Sequence, residues 1–399
     1  MFSSFLSSYR ALPPPFWVLV GATFVNRFGV FVIPFLTIFV TRNGNSAVHA
    51  GYCVAAYAAG GLGAAWLGGW LADRIGRNVT MGMAAIGGGA CMLVMSQCVQ
   101  WQTLAMVSFF TGLITESSHA PTSALIQDLV PLEHRMFAYA VQRFAVNLGW
   151  SFGPAVAGFL AERSFFWLFA VDGATSMFFG VMALRWLPPG NRTERSLAGW
   201  GRAWRSIRAN RPFLALAGSC ILVSWLFRQA FSAFPLHFER SGLPMHWCGV
   251  ALALNGVIVC LLEIPLAAVT RGWPVRIMLA LGYVTMGGSF LLITGAPAMP
   301  AFFVMISIFT VGEIMAFSRQ QAYAASLAPD DMRGRYAGFL GFGWGTGAVL
   351  SGLCGMALFD ADPTLAWMTN AGLGLAAAVL VVYGTGRAPS PAVVEQPAG

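Results

Sequence analysis

The sequence predicts an all-α membrane protein of twelve transmembrane helices, arranged as two pseudo-symmetric six-helix bundles. Three observations carry that prediction. Of 399 residues, 57% are hydrophobic and only 10% charged, with a mean hydropathy of +0.68. A soluble chain carries about 25% charged residues and could not cover its surface with so few. Twelve apolar runs are long enough to cross about 30 Å of hydrocarbon. The third observation is an internal repeat at an offset of 198 residues, close to half the chain.

Spans 1 to 6 are expected at about 16–41, 48–72, 79–99, 101–127, 136–160 and 164–187. Spans 7 to 12 follow at about 212–238, 246–269, 275–296, 299–327, 335–359 and 364–386. The first run is too long for the apolar core of a secretion signal and lacks a convincing cleavage site, so it is expected to stay in the mature protein. The domains expected are a bundle over 1–187, a cytoplasmic linker over 188–211, and a bundle with a short tail over 212–399.

All 23 basic residues are arginine, and their placement orients the chain. With the N-terminus inside, the inner segments hold sixteen arginines and the outer loops three: Arg42, Arg163 and Arg240. Basic residues concentrate on the cytoplasmic side, so both termini are expected there. The linker places Leu197, Trp200, Trp204 and Ile207 at helical spacing, with Arg195, Arg202, Arg205 and Arg208 on the other side. That pattern predicts an amphipathic helix lying on an anionic leaflet.

The repeat is read by sliding the chain on itself. At 198 residues Arg42 falls on Arg240, Gly51 on Gly249, Pro131 on Pro329, Arg135 on Arg333 and Gly149 on Gly347. Two parallel repeats place a substrate site near the midplane between them.

Several chemistries are excluded by residue type. Without lysine there is no Schiff base and no phosphate-loop lysine. The seven cysteines show no paired spacing and read as small buried apolar residues. Glu116 and His119 have the helix spacing of carboxylate metal sites, but no second copy exists, so neither metal nor cofactor is expected. A pI near 9.5 does not indicate nucleic acid, because the arginines are spread along loops of one parity. No nucleophile–base set supports a membrane enzyme.

Two motifs stand out. The loop between spans 2 and 3 reads GGWLADRIGRNVT and contains Gly69, Asp73, Arg74, Gly76 and Arg77. Span 5 carries Gly149, Gly153, Pro154 and Gly158, a small-residue spacing that lets helices approach closely, with a proline to bend the helix. On these motifs the chain resembles the major facilitator superfamily, and more narrowly its 12-span drug:proton antiporter branch. The loop matches that family's G-x-L-A-D-R-x-G-R signature, and span 5 matches the G-x-x-x-G-P of its G-x-x-x-G-P-x-x-G signature, with Gly158 one residue beyond the last position; the family associates this motif with antiporters. There are departures: the second-half loop has decayed to VTRGWPVR, with Arg271 opposite Asp73, and span 4 carries Glu116 in place of the family's arginine motif. The expected role of Asp73 is a latch, its carboxylate resting on the N-terminus of span 11.

Intramembrane charges are costly and mark pathways or pairs. Arg27, Glu116, Arg228 and Glu313 lie in the middle of spans 1, 4, 7 and 10, which in the family line the central cavity. The alternative is two structural salt bridges. Burial raises and a guanidinium lowers a carboxylate's hold on its proton, so both glutamates are candidates for proton exchange. Arg143 and Glu263 form a second tier; Arg143 is a candidate to pair with Glu116 or Asp128 on the adjacent helix, and Glu263, with Asn255 two turns earlier, is a lesser candidate for a second protonation site. Asp172 is expected to be a structural hydrogen-bonding residue, Arg319 is a further intramembrane charge, and His119 and His237 are minor protonation candidates. The function these readings imply is a monomeric secondary transporter of the bacterial cytoplasmic membrane, which exports small amphipathic compounds against protons. The alternative is transport of one specific metabolite, an anion among the options.

Overall fold

The computed structural model describes residues 9, 11–29, 32–190, 200–270, 272–295 and 297–384. Span 1 is α1 (Pro14–Phe28) and α2 (Val32–Arg42), span 2 is α3 (Ala47–Ile75) and span 3 is α4 (Arg77–Met95). Span 4 is α5 (Trp101–Glu116) and α6 (His119–Leu129), followed by α7 (Arg135–Arg163) and α8 (Phe165–Trp186) as spans 5 and 6. The linker forms α9 (Trp200–Ala209). Span 7 is α10 (Arg211–Ala230) and α11 (Ala233–Arg240), and spans 8 to 10 are α12 (Met245–Val269), α13 (Val275–Ser289) and α14 (Met299–Leu327). Span 11 joins α15 (Arg333–Leu350) to α16 (Met356–Ala361) through a π-helical turn at Ser351–Gly355, and α17 (Pro363–Gly384) is span 12.

Among the described residues, eleven helical runs are long and apolar enough to cross a membrane. Span 4 is not among them: its break carries the polar run Glu116, Ser117, Ser118 and His119. The break has a local cause. Ser117 and Ser118 donate their hydroxyls to the carbonyls of Ile114 and Thr115 at 2.6 and 2.8 Å, in competition with the helical ladder. Pro121 then removes the donor that would reach Ser117. Span 7 is interrupted in a similar manner, Ser232 donating its hydroxyl to the Arg228 carbonyl at 2.7 Å, and span 1 is likewise divided between α1 and α2. In all three, a proline (Pro34, Pro121, Pro235) is the third residue of the second helix, where a missing N–H leaves no hydrogen bond broken.

The two bundles meet at the end that carries Arg42. There Arg42 of the first bundle is ion-paired to Glu239 of the second at 2.5 Å. Thr37 donates to the Ser232 carbonyl, in the break of span 7, at 2.9 Å. Span 5 packs along span 8 and span 2 along span 11, in both cases through glycine: Gly158 and Gly249 touch backbone to backbone, and so do Gly51 and Gly352.

The linker helix departs from expectation. Ala203 and Ile207 are fully buried against the second bundle while Trp204 faces outward. Arg202 pairs with Asp331 at 2.6 Å, Ser206 meets the Tyr336 hydroxyl at 2.9 Å, and Asn210 donates to the Leu327 carbonyl at 2.8 Å. The helix is therefore docked on the base of spans 10 and 11 and does not simply lie on lipid. Leu197 and Arg195 of the expected stripe fall outside the described residues.

Candidate functional site

The break in each of spans 1, 4 and 7 falls beside a charge. Arg27 lies in the last turn of α1, Glu116 ends α5, and Arg228 lies in the last turn of α10. Arg27 and Pro34 have the same separation as Arg228 and Pro235, so the two guanidinium groups occupy matching places in the two bundles. A cation at a helix C-terminus is favoured by the exposed carbonyls and the dipole. Each is half-buried, and the Nε atom of each is buried without a hydrogen-bond partner.

In the first bundle, glycine contacts create the cluster. Gly60 of α3 packs on the Phe109 carbonyl, Gly112 of α5 on the Tyr57 carbonyl, and Gly68 on the Ser117 carbonyl. Side chains at these points would force spans 2 and 4 apart. The close approach lets the Tyr57 hydroxyl donate to Glu116 Oε1 at 2.8 Å. The second oxygen, Oε2, lies 3.0 Å from His119 Nε2. That same ring nitrogen is 3.4 Å from Arg27 Nη2. Tyr57 lies within electrostatic reach of both Arg27 and Arg228, so the cluster faces the other bundle.

The second bundle repeats the arrangement with different chemistry. Asn255 of span 8 stands at the position of Tyr57 under the 198-residue offset, and its amide donates to Glu313 Oε2 at 2.7 Å. Glu313 lines a cavity of about 850 Å³ with Phe227, Phe317, Gln320 and Trp344, and this cavity extends to Arg333 and Gly334 at the start of span 11. The space therefore opens toward the Asp73 end, opposite the end where the bundles meet.

The two salt bridges that were the alternative to a cavity role are not formed: Arg27 reaches Glu116 only through His119, and Arg228 makes no ion pair among the described residues. Arg143 does not pair with Glu116 or Asp128. It is ion-paired to Glu263 of the other bundle, because span 5 packs along span 8. Asn255 accordingly belongs to Glu313 and not to Glu263. Asp172 is 2% exposed and accepts from the Val32 amide at 3.2 Å, as expected of a structural residue. His237 is buried in the second bundle at the end that carries Arg240, accepting from Trp367 Nε1 at 2.8 Å and stacked on its ring, away from the cavity. Arg319 is turned to the loop after span 8 and donates to the Thr270 carbonyl and hydroxyl at 2.6 and 2.7 Å.

The loop motif divides its labour. Gly76 has a φ of +98°, which only glycine adopts readily, and this turn aims Arg77 inward. Arg77 pairs with Asp128 and donates to the Ala124 carbonyl, both at the end of span 4, while its amide donates to the Pro189 carbonyl at 2.8 Å. Gly69 is buried in α3, and Arg74 lies over the Trp70 ring at 4.2 Å. Asp73 is half-buried and makes no hydrogen bond or ion pair among the described residues. The expected latch to span 11 is thus not engaged in this conformation. Arg271, its opposite number, falls outside the described residues.

Two of the span 5 glycines serve the site directly. A Cβ at Gly149 would lie 2.8 Å from the Arg27 Cβ, and one at Gly153 would lie 2.7 Å from the Phe28 carbonyl, so both seat the break in span 1. Gly158 and the Pro154 carbonyl instead seat span 8 of the other bundle. Tyr57 and the glycines at 60, 68 and 112 were not singled out from sequence. The offset that places Tyr57 on Asn255 was the available signal.

Known proteins agree with this architecture. A multidrug resistance protein MdtH of Aeromonas salmonicida is 24% identical, with 94% of this chain and 96% of that protein covered. A Na(+), Li(+), K(+)/H(+) antiporter of Planococcus maritimus is 26% identical over 86% and 94%. The crystal structure of a peptide transporter, POT, in complex with sulfate superimposes with a TM-score of 0.78 at 14% identity, over 92% of this chain and 94% of that one; at such identity only the fold is shared. The sequence profile of the Major Facilitator Superfamily matches residues 19–352, from the middle of α1 to the π-helical turn of span 11. The chain belongs to that superfamily of membrane transporters.

Proposed function

We propose that this transporter exports small amphipathic compounds in exchange for protons, by rocking its two bundles about the space between Arg27, Glu116, Arg228 and Glu313. The observation that carries the reading is the shared nitrogen of His119. Carrying a proton, Nε2 donates to Glu116; bare, it accepts from Arg27 or from a protonated Glu116. One proton therefore rewires the link between spans 1 and 4, inside the first bundle and beside the second. The aromatic walls beside Glu313 suit an amphipathic solute. The likeness to multidrug resistance proteins and to a cation/proton antiporter supports exchange. The arginine distribution supports cytoplasmic termini, with the cavity then open to the cytoplasm, and a single chain holds the whole site.

The test is flux in proteoliposomes loaded with an amphipathic fluorescent cation under an imposed pH gradient. Accumulation against the dye gradient is expected, and dye movement that ignores the pH gradient would sink the proposal. A second reading, transport of an anionic metabolite, is favoured by the unpartnered Nε atoms of Arg27 and Arg228. It predicts that Arg228→Gln abolishes flux, whereas cation export would survive that change.

A further inference from the structure

The linker helix α9 is the one motif that transport itself leaves without a role. Its faces are cleanly divided. Ala203 and Ile207 are buried in the second bundle, while Trp204 is 50% exposed and Arg205 and Arg208 are exposed beside it. Neither of these arginines has a carboxylate or hydrogen-bond partner among the described residues, unlike Arg202, which is held by Asp331. The depth of the helix identifies what the free face meets. Asn210 bonds the Leu327 carbonyl at the very end of span 10. The Trp204 ring lies 6.1 Å from Phe339, about 9 Å along span 11 from its first residue. Trp204 therefore stands at the boundary between hydrocarbon and headgroups, where tryptophan is enriched, with two unpaired guanidinium groups on the same face.

We propose that α9 is a receptor for anionic phospholipid headgroups and that occupancy braces the base of span 11. A guanidinium fork matches a phosphate, and Trp204 anchors the helix at the depth of the lipid phosphate. The transmission path is short: Arg202–Asp331 and Ser206–Tyr336 tie α9 to the segment that carries Arg333, Ala337 and Gly341 of the cavity wall. The inference does not depend on what the transporter carries.

The full chain in nanodiscs of phosphatidylcholine, with or without phosphatidylglycerol, gives the test. Native mass spectrometry reads retained phosphatidylglycerol, and hydrogen–deuterium exchange reads the segment 331–340. Phosphatidylglycerol is expected to be retained in preference to phosphatidylcholine and to slow exchange in that segment. The R205Q/R208Q variant is expected to bind it about 30-fold more weakly, each basic residue at a membrane surface contributing roughly a factor of five, and to lose the protection. Unchanged thermal stability of the variant in pure phosphatidylcholine excludes misfolding as the cause. Equal retention by wild type and variant, retention without protection of 331–340, or displacement by millimolar inorganic phosphate would each overturn the proposal.

Discussion

Glu162, at the end of span 5, accepts hydrogen bonds from both the backbone nitrogen and the ring Nδ1 of His246, at 3.0 and 2.8 Å. His246 is the second residue of span 8, so a carboxylate of one bundle caps a helix of the other. This is the chemistry expected of Asp73 and span 11, realised at the opposite end of the molecule. With Arg42–Glu239 beside it, it closes that end while the Asp73 end stands open. A carboxylate on a helix N-terminus is stabilised by the orphan N–H groups and the dipole.

Glu162→Gln keeps the shape and removes the charge. It is expected to weaken the closed Arg42 end by about 1 kcal/mol, a roughly fivefold shift toward the form open at that end. Single-molecule energy transfer between dyes on the loops 43–46 and 241–244 reads that population directly. An unchanged distribution would show that the cap does not hold the seal.

Arg77→Gln is expected to be among the most damaging changes in the loop motif. Asp128 loses the Arg77 guanidinium in a largely buried setting, which costs up to about 3 kcal/mol, and the end of span 4 is loosened. Asp73→Asn, by contrast, removes no contact present in this conformation and should leave thermal stability within about 0.5 kcal/mol of wild type while slowing the transport cycle. Melting curves in detergent, paired with flux, separate the two residues.

Gly112→Ala places a methyl group against the Tyr57 carbonyl. Spans 2 and 4 must separate, at a cost of about 1–3 kcal/mol, and the Tyr57–Glu116 hydrogen bond lengthens. Lower thermal stability together with impaired coupling is expected. Tyr57→Phe, which keeps the packing, should impair coupling alone, and comparing the two variants tests whether the hydrogen bond matters beyond the contact.

Glu313→Gln retains hydrogen bonding to Asn255 but removes the charge from the cavity. Export of cationic dye driven by a pH gradient is expected to be lost while the protein remains folded. Glu263→Gln strands Arg143, so it should reduce stability as well as flux. If both variants lost only flux, the ion pair between Arg143 and Glu263 would be dispensable for holding the bundles together.

Much of this was legible in the chain. Composition and run length predict helices that span a bilayer because an unpaired backbone group in hydrocarbon is too costly for other structures. The offset of 198 residues predicts paired bundles, and of the charges in spans 1, 4, 7 and 10, Glu313 lines the cavity. The breaks were also written there, in Pro34, Pro121 and Pro235, each shortly after a charged residue. They were passed over because a hydropathy window averages across a proline.

Partners were not legible. Arg143 meets Glu263, Asp128 meets Arg77, Asn255 meets Glu313, and Asp73 meets none of the described residues. A sequence determines which residues sit at the membrane's middle, because hydrophobicity and helical rise are local properties. Which of them touch depends on where glycines such as Gly112, Gly149 and Gly158 let two backbones come together, and on which way two rigid bundles are tilted. Both are properties of helices far apart in the chain, so only the tertiary structure decided them.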